Sequence, residues 1–98
     1  MGYIAMSKFN EIAEKLEELN EDAILFDGYE DALVSIALRF NMQPVACYDI
    51  KKCIEILMNR DGMSQPEAVE WFEYNTLGAW VGEHTPIFIN PLWTGVVS

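Results

Sequence analysis

Two aspartates are placed where a small α/β protein could hold a metal ion. Asp27 and Asp49 each directly follow a short apolar run and precede a predicted helix. If the two runs are parallel, adjacent strands, both carboxylates lie at one sheet edge, where ligand sites form and where Mg²⁺ could bind. The same residues also suit structural roles, with Asp49 as a helix N-cap and Asp27 starting a turn with Gly28. We favour the structural roles and therefore expect no metal ion and no cofactor.

Three further polar residues complete this alternative ligand site. Glu83 and His84 are the only adjacent carboxylate and imidazole in the sequence, but neighbouring side chains point apart and do not form a dyad. Asn75 falls among aromatic residues on the apolar face of a predicted helix, where a buried amide must find hydrogen-bond partners. It could tie the helix to the 82–85 loop or line a pocket. Because the sequence lacks HExxH, CxxC and serine-elbow motifs, no catalytic residue is predicted.

Acidic side chains dominate the chemistry of this chain. Sixteen Asp and Glu residues against six Lys and Arg give a net charge of −10. Between Glu11 and Asp31 there are nine acids and a single base, Lys15. Such a chain is unsuited to bind nucleic acid or an anionic membrane directly, so its charge favours a protein partner with a basic surface. The residues predicted to contact that partner are Glu11, Glu14, Glu17, Glu18, Glu21, Asp22, Glu67, Glu70, Glu73 and Tyr74.

One predicted helix, from Ser64 to Trp80, organises the rest of the chain. Ser64 as N-cap, Pro66 in the first turn and Glu67 three residues after the cap form a helix-start signal with a capping box. At about 100° per residue, Glu67, Glu70 and Glu73 share the outer face. Tyr74 falls on that acidic face. The inner face consists of Ala68, Val69, Trp71, Phe72, Asn75, Ala79 and Trp80.

The remaining elements follow from hydrophobic periodicity and stop signals. Ser7 caps a helix that runs to about Leu19, with Phe9, Ile12, Ala13, Leu16 and Leu19 in its apolar stripe and Asn20 at its end. The other predicted elements are a strand over Ala23–Phe26, a helix over Glu30–Phe40 with Leu33, Val34, Ala37 and Phe40 facing inward, a strand over Val45–Tyr48, a helix over Ile50–Arg60 and a strand over Pro86–Ile89. Residues 1–98 are therefore predicted to form a single small α/β or α+β domain of about four helices and three short strands, in the order α-β-α-β-α-α-β.

The cysteine and aromatic residues add two expectations. Cys47 and Cys53 lie in apolar patterns and are predicted to be buried, reduced thiols, and the N-terminus lacks the pattern of a signal peptide, so we expect a cytoplasmic protein. Trp71, Trp80, Trp93, Tyr29, Tyr48 and Tyr74 are more aromatic residues than a small core needs. Aromatic residues on an acidic surface are typical of interfaces between proteins.

Several segments of the chain resemble small proteins that are common in bacteriophage genomes. The segments are Asp27-Gly-Tyr-Glu-Asp-Ala-Leu, Val45-Ala-Cys-Tyr-Asp, Lys52-Cys-Ile-Glu-Ile-Leu-Met, Asp61-Gly-Met-Ser-Gln-Pro-Glu-Ala-Val-Glu-Trp-Phe-Glu-Tyr-Asn and Gly78-Ala-Trp-Val-Gly-Glu-His-Thr-Pro. The resemblance covers about Ile24 to Ile89 and brings no assigned activity. It implies a phage-encoded accessory protein in the host cytoplasm, and by analogy an inhibitor of a host nucleic-acid-binding defence system, of the anti-CRISPR or another anti-defence type.

Three hypotheses for function follow from these observations. The first is a non-catalytic binding protein that places its acidic surfaces in a basic groove of a protein partner. The second is a small metal- or ligand-binding enzyme that uses Asp27 and Asp49, with His84. The third is a homo-oligomeric structural or regulatory module that buries its surplus aromatic residues against a second copy.

Overall fold

Helix α1 (Lys8–Leu19) begins where the sequence predicts, because the Ser7 hydroxyl accepts a hydrogen bond from the backbone N–H of Asn10 (3.1 Å). The computed structural model describes residues 7–79 and 81–90, so the predicted places of Trp80 and Trp93 lie outside the described residues. Leu16 is fully buried on the inner face of α1. Leu19 was predicted to share that face but is exposed, because the helix ends there and the chain turns away at Asn20.

The helix predicted over Glu30–Phe40 is wrong, because most of this segment is a strand. A single 3₁₀ turn (Glu30–Ala32) leads into strand β1 (Leu33–Arg39). Its apolar residues fit both a helical face and a strand, and the β-branched Val34 and Ile36 together with pairing to the next strand favour the strand. Phe40, predicted to face inward, therefore lies at a hairpin tip and is 91% exposed.

Strand β2 (Met42–Asp49) is the central strand of the sheet. It pairs antiparallel with β1 through a tight turn at Asn41, whose φ is 57°, and parallel with β3 (Ile87–Ile89). The strand order is β1-β2-β3, which makes the sheet mixed. The strands predicted over Val45–Tyr48 and Pro86–Ile89 are thus confirmed, although β2 starts earlier than predicted.

The strand predicted over Ala23–Phe26 is also wrong, because this segment has no regular secondary structure. The backbone N–H of Phe26 donates to the Tyr48 hydroxyl at 2.8 Å instead of to a neighbouring strand. The Phe26 ring lies 5.8 Å from the Tyr48 ring and 5.9 Å from the Phe88 ring. Side-chain packing and one side-chain hydrogen bond therefore hold this short apolar run against the sheet.

Helices α2 (Ile50–Asp61) and α3 (Gln65–Phe72) are joined by a short link, as predicted. The Asp49 carboxylate accepts from the backbone N–H of Lys52 (3.2 Å) and so caps α2. Gly62 ends the helix with a φ of 68°, a left-handed conformation that favours glycine. The predicted inner face of α2 is confirmed, since its members are all buried: Ile50, Cys53, Ile54 and Leu57.

The core lies between the three helices and one face of the sheet. Ala46 and Tyr48 point from β2 into this core, where they join Leu16 of α1 and Phe72 of α3. Both cysteines are buried and free, as predicted. Over the described residues, three α-helices and a three-stranded mixed sheet make this a small α+β domain, which confirms the predicted class. It has one helix fewer than predicted because the 30–40 segment is a strand.

Candidate protein-interaction site

The acids of helix α1 and of the turn after it lie at the surface. Their side chains are all exposed: Glu11, Glu14, Glu17, Glu18, Glu21 and Asp22. Within this segment one ion pair forms, between Lys15 Nζ and Glu18 Oε1 at 3.8 Å, and both of its side chains are open to solvent. A single exposed pair stabilises the fold by well under about 1 kcal/mol. The negative charge of this surface is therefore almost uncompensated among the described residues.

A cleft runs between α1 and the segment that follows it. Its volume is about 250 Å³, and it is lined by Glu14, Glu17 and Glu21 together with apolar residues. We call it the α1 cleft, and its lining residues are Ala13, Glu14, Leu16, Glu17, Asn20, Glu21, Ala23 and Leu25. Leu25 is exposed although the sequence places it within a predicted buried strand. The cleft thus combines apolar contact area with three carboxylates, and no sequence motif indicated it.

Asn20 fixes the shape of the α1 cleft. Its side chain is 3% exposed and forms three hydrogen bonds: Nδ2 donates to the Pro44 carbonyl (2.8 Å) and to Nδ1 of His84 (3.0 Å), while Oδ1 accepts from the backbone N–H of Asp22 (3.1 Å). Because an amide nitrogen only donates, Nδ1 of His84 is the acceptor in this hydrogen bond. Asn20 therefore ties the end of α1 to β2 and to the 82–85 loop, and this geometry gives His84 a structural role.

A second surface lies on α3, where two aromatic side chains flank a groove of about 350 Å³. Trp71 is 40% exposed and Tyr74 is 86% exposed. We call it the α3 groove, and its lining residues are Met63, Glu67, Glu70, Trp71, Tyr74 and Asn75. The exposure predicted for Glu67, Glu70, Glu73 and Tyr74 is confirmed. Trp71 was predicted to lie in the core, and its position at the surface is a correction.

The capping box at Ser64 holds one side of the α3 groove in place. The Glu67 carboxylate accepts from the backbone N–H of Ser64 (2.9 Å), and the Ser64 hydroxyl accepts from the backbone N–H of Glu67 (3.3 Å). The pKa of Glu67 is lowered below its ordinary value, mainly by the hydrogen bond from the Ser64 backbone N–H to its carboxylate, and the Ser64 side chain adds to the effect. Glu67 is therefore a fixed negative charge at the mouth of the groove.

A wider helical turn forms the other side of the groove. Because of this turn, the predicted inward position of Asn75 is wrong. After Phe72 the chain continues as a π-helix (Glu73–Leu77), which adds residues to the turn and shifts the inward position by one. Thr76 is consequently buried, while Asn75 is exposed and donates from Nδ2 to the Trp71 carbonyl at 3.0 Å. Asn75 is thus a groove residue and does not reach the 82–85 loop.

The alternative ligand site is not assembled around a pair of parallel strand ends. Asp27 lies in a turn after an irregular segment, and the strand parallel to β2 is β3. Asp49 caps α2 instead. Glu83 and His84 line a separate polar depression of about 390 Å³ together with Asp22, from the turn after α1, and with residues of the β1–β2 hairpin. Among residues 7–79 and 81–90, no group of three or more His, Cys, Asp and Glu side chains has an arrangement that could hold a metal ion.

The buried thiols and phenols are poor candidates for chemistry. Burial raises the pKa of Cys53 to about 12 and raises the pKa of Cys47 as well, with the Asp49 charge adding to both. A reactive cysteine needs a lowered pKa and access to solvent. Burial likewise raises the pKa of Tyr29, and that of Tyr48 to about 12. These four side chains therefore belong to the core.

Comparison of the chain with protein-family models, with curated protein sequences and with solved structures found no match. In the described part of the chain, no helix has the length and apolar character needed to cross a bilayer. The interaction residues must therefore be judged on their own geometry.

Proposed function

We propose that this chain is a non-catalytic acidic interaction protein, which needs no cofactor and docks on the basic surface of a protein partner. The observation that supports this most strongly is the α1 cleft, which is lined by Glu14, Glu17 and Glu21 together with apolar residues. Apolar area provides affinity on binding, while exposed carboxylates steer a cationic partner and fix its orientation. Together they form a surface suited to a basic protein.

The arrangement of charge on α1 supports the same proposal. Glu14 and Glu18 are four residues apart on this helix, and like charges at this spacing repel by a few tenths of a kcal/mol per pair. Lys15 forms the ion pair described above with Glu18, but it is the one base in the 11–22 segment, which carries six acids. A basic partner would relieve this repulsion on docking, so binding should be strongest at low salt.

The class of partner follows from the charge and from the resemblance to phage proteins. A groove that normally holds nucleic acid carries dense positive charge, and an acidic protein of this size can occupy it by presenting carboxylates in place of phosphates. We therefore propose a phage-encoded inhibitor of a host nucleic-acid-binding defence system, of the anti-CRISPR or another anti-defence type, acting in the host cytoplasm. The protein would bind no nucleic acid itself.

The experiment that tests this proposal compares two variants with the same net charge. In the α1 variant, Glu14, Glu17, Glu18 and Glu21 are all replaced by Gln. In the control variant, Asp27, Asp31, Glu55 and Glu83, which are exposed and lie outside the α1 cleft, are replaced by Asn or Gln. Each protein is used to capture partners from host lysate at low and at high salt, with identification by mass spectrometry. Loss of a basic partner with the α1 variant alone supports the proposal. Equal retention by all three proteins eliminates α1 as the interface.

Self-association is a second candidate, favoured by the β1–β2 hairpin. Leu38 is 79% exposed and Phe40 91% exposed, and no acid occurs between Asp31 and Asp49. This hairpin is therefore an apolar, nearly uncharged surface on an otherwise acidic molecule, the kind of patch that a second copy could bury. Light scattering coupled to size exclusion decides this: a dimer that becomes monomeric in Phe40→Ser supports self-association, and a monomer at all concentrations excludes it.

The enzyme hypothesis receives no support from the described residues. It depended on Asp27 and Asp49 sharing a sheet edge, and Asp27 does not follow a strand. His84, its third member, is hydrogen-bonded to Asn20. We therefore do not propose a reaction for this chain.

A further inference from the structure

The α3 groove places exposed aromatic surface next to carboxylates. Trp71 and Tyr74 both line it, and both stand outside the cluster of ring contacts that fills the core among the described residues. Glu67 and Glu70 line the same groove. An aromatic face attracts a cation through its quadrupole, and a nearby carboxylate adds charge and hydrogen bonding. The groove therefore has the chemistry to receive a cationic side chain.

The protein already holds one of its own arginines with the same set of groups. The guanidinium carbon of Arg60 lies 5.9 Å from the centroid of the Tyr29 ring. Arg60 also donates from Nε and Nη2 to the two carboxylate oxygens of Asp61, at 3.1 and 3.0 Å, and from Nη1 to the Gly28 carbonyl. An aromatic ring, a carboxylate and a backbone carbonyl thus surround this guanidinium. The α3 groove has the same kinds of group, an aromatic ring and a carboxylate. Among the described residues the ion pairs are Lys15–Glu18 and Arg60–Asp61, so neither involves a carboxylate of the groove.

The carboxylates of the groove are hydrogen-bond acceptors. Glu67 uses Oε1 to accept from the Ser64 backbone N–H, which holds the side chain in place. Glu70 lies one helical turn further along, on the same face as Tyr74. A planar fork of N–H groups matches such acceptors, and guanidinium also stacks on aromatic rings more readily than the strongly hydrated ammonium of lysine.

We propose that the α3 groove binds an arginine side chain of the protein partner, with the guanidinium between the Trp71 and Tyr74 rings and hydrogen-bonded to Glu70. This inference rests on the proposed function, since it names the partner group that a second surface recognises. The α1 cleft supplies charge along a helix, whereas the α3 groove supplies a single specific anchor. Arginine and tyrosine are also among the residues that carry most of the energy in protein interfaces.

The test uses three short peptides as probes, each an acetylated and amidated Gly-X-Gly in which X is arginine, lysine or citrulline. Each is titrated into ¹⁵N-labelled protein, and backbone and indole N–H shifts are followed by NMR. We expect the arginine peptide to shift resonances at Trp71 and Tyr74, the lysine peptide to bind more weakly, and the neutral citrulline peptide to bind weakest. Arginine and citrulline binding alike, or shifts centred on α1, would overturn the proposal.

Matched variants separate the aromatic contribution from the charge. Tyr74→Ala and Glu70→Gln should each lower the affinity for the arginine peptide by about two- to fivefold, as expected for the loss of an exposed cation–π contact or ion pair. Phe40→Ala and Glu55→Gln remove an equally exposed ring and acid elsewhere and should leave the affinity unchanged. If the groove variants behave like these controls, the α3 groove is not the arginine site. That result would leave the α1 capture experiment unaffected, so failure of this inference is distinguishable from failure of the proposed function.

Discussion

Replacing Tyr48 by Phe tests the hydrogen bond that holds the 23–26 segment against the sheet. The Tyr48 side chain is fully buried, and its hydroxyl accepts from the backbone N–H of Phe26 at 2.8 Å. The substitution keeps the ring and its contacts with Phe26 and Phe88, so it creates almost no cavity. It removes the acceptor and leaves a partly buried N–H without a partner, which costs about 1–2 kcal/mol. We therefore expect the free energy of unfolding to fall by that amount near neutral pH.

The same substitution should change how stability depends on alkaline pH. Burial raises the pKa of Tyr48 from 10 to about 12 in the folded protein. Between these values the unfolded chain has lost the phenolic proton while the folded protein retains it, so the folded state binds more protons and the free energy of unfolding falls as pH rises. The difference between these two pKa values corresponds to a loss of about 2–3 kcal/mol in the free energy of unfolding. The variant lacks this loss, so its deficit relative to the wild type should shrink above pH 10, vanish near about pH 11 and reverse by about pH 12.

Urea denaturation followed by circular dichroism, repeated over a series of pH values, measures both effects. The buried Cys53, Cys47 and Tyr29 also have raised pKa values, but they are present in both proteins and cancel in the difference. Tyr74→Phe is the matched control, because its hydroxyl is on an 86% exposed side chain and its removal should change stability by less than about 0.5 kcal/mol. If Tyr48→Phe matches the wild type at every pH, the Tyr48 hydroxyl does not hold the segment and the reasoning is refuted.

Four further outcomes are expected from the fold and the site. Phe72→Ala should cost about 3–5 kcal/mol in urea denaturation, because Phe72 is fully buried in the core; a small loss would mean that the inner face of α3 is misassigned. Gly28→Ala should cost about 1–2 kcal/mol, since the φ of 90° is unfavourable for any residue with a Cβ; unchanged stability would contradict the turn geometry. Ser64→Ala should cost about 1 kcal/mol through loss of the capping box, and Ser64→Thr, which keeps a capping hydroxyl, should recover most of it. Calorimetric titration with Mg²⁺, Mn²⁺ or Ca²⁺ should show no binding; a clear isotherm that is lost in Asp27→Asn or Asp49→Asn would restore the enzyme hypothesis.

The helices that begin with a capping residue could be predicted closely from the sequence. Ser7, Asp49 and Ser64 each accept a hydrogen bond from a backbone N–H in the first turn of their helix, as their residue types indicate. A cap is a local interaction, so the sequence within one turn contains the information needed to recognise it. The exposed acids could also be predicted, because an unpaired carboxylate is almost never buried.

The elements that depend on distant partners could not be predicted. The 33–39 segment forms a strand because β2 lies beside it, and its local pattern fits a helix equally well. The 23–26 segment looks like a strand, but the Tyr48 hydroxyl satisfies the N–H of Phe26. The position of Asn75 depended on a π-helix that shifts the helical phase, and no residue type marks such a turn. The α1 cleft was missed for a related reason, because its wall includes residues from outside the helix.

The most direct test of the central claim is the association rate of the captured partner with three forms of this protein, measured over increasing salt. The three forms are the wild type, the α1 variant and the control variant of equal net charge. If α1 docks on a basic surface, the α1 variant should associate about tenfold more slowly at low salt, and the difference should vanish as salt approaches about 0.5 M. The control variant should associate almost as fast as the wild type. Equal rates for the two variants at every salt concentration would contradict the account, because net charge alone, and not the acids of α1, would then govern the encounter.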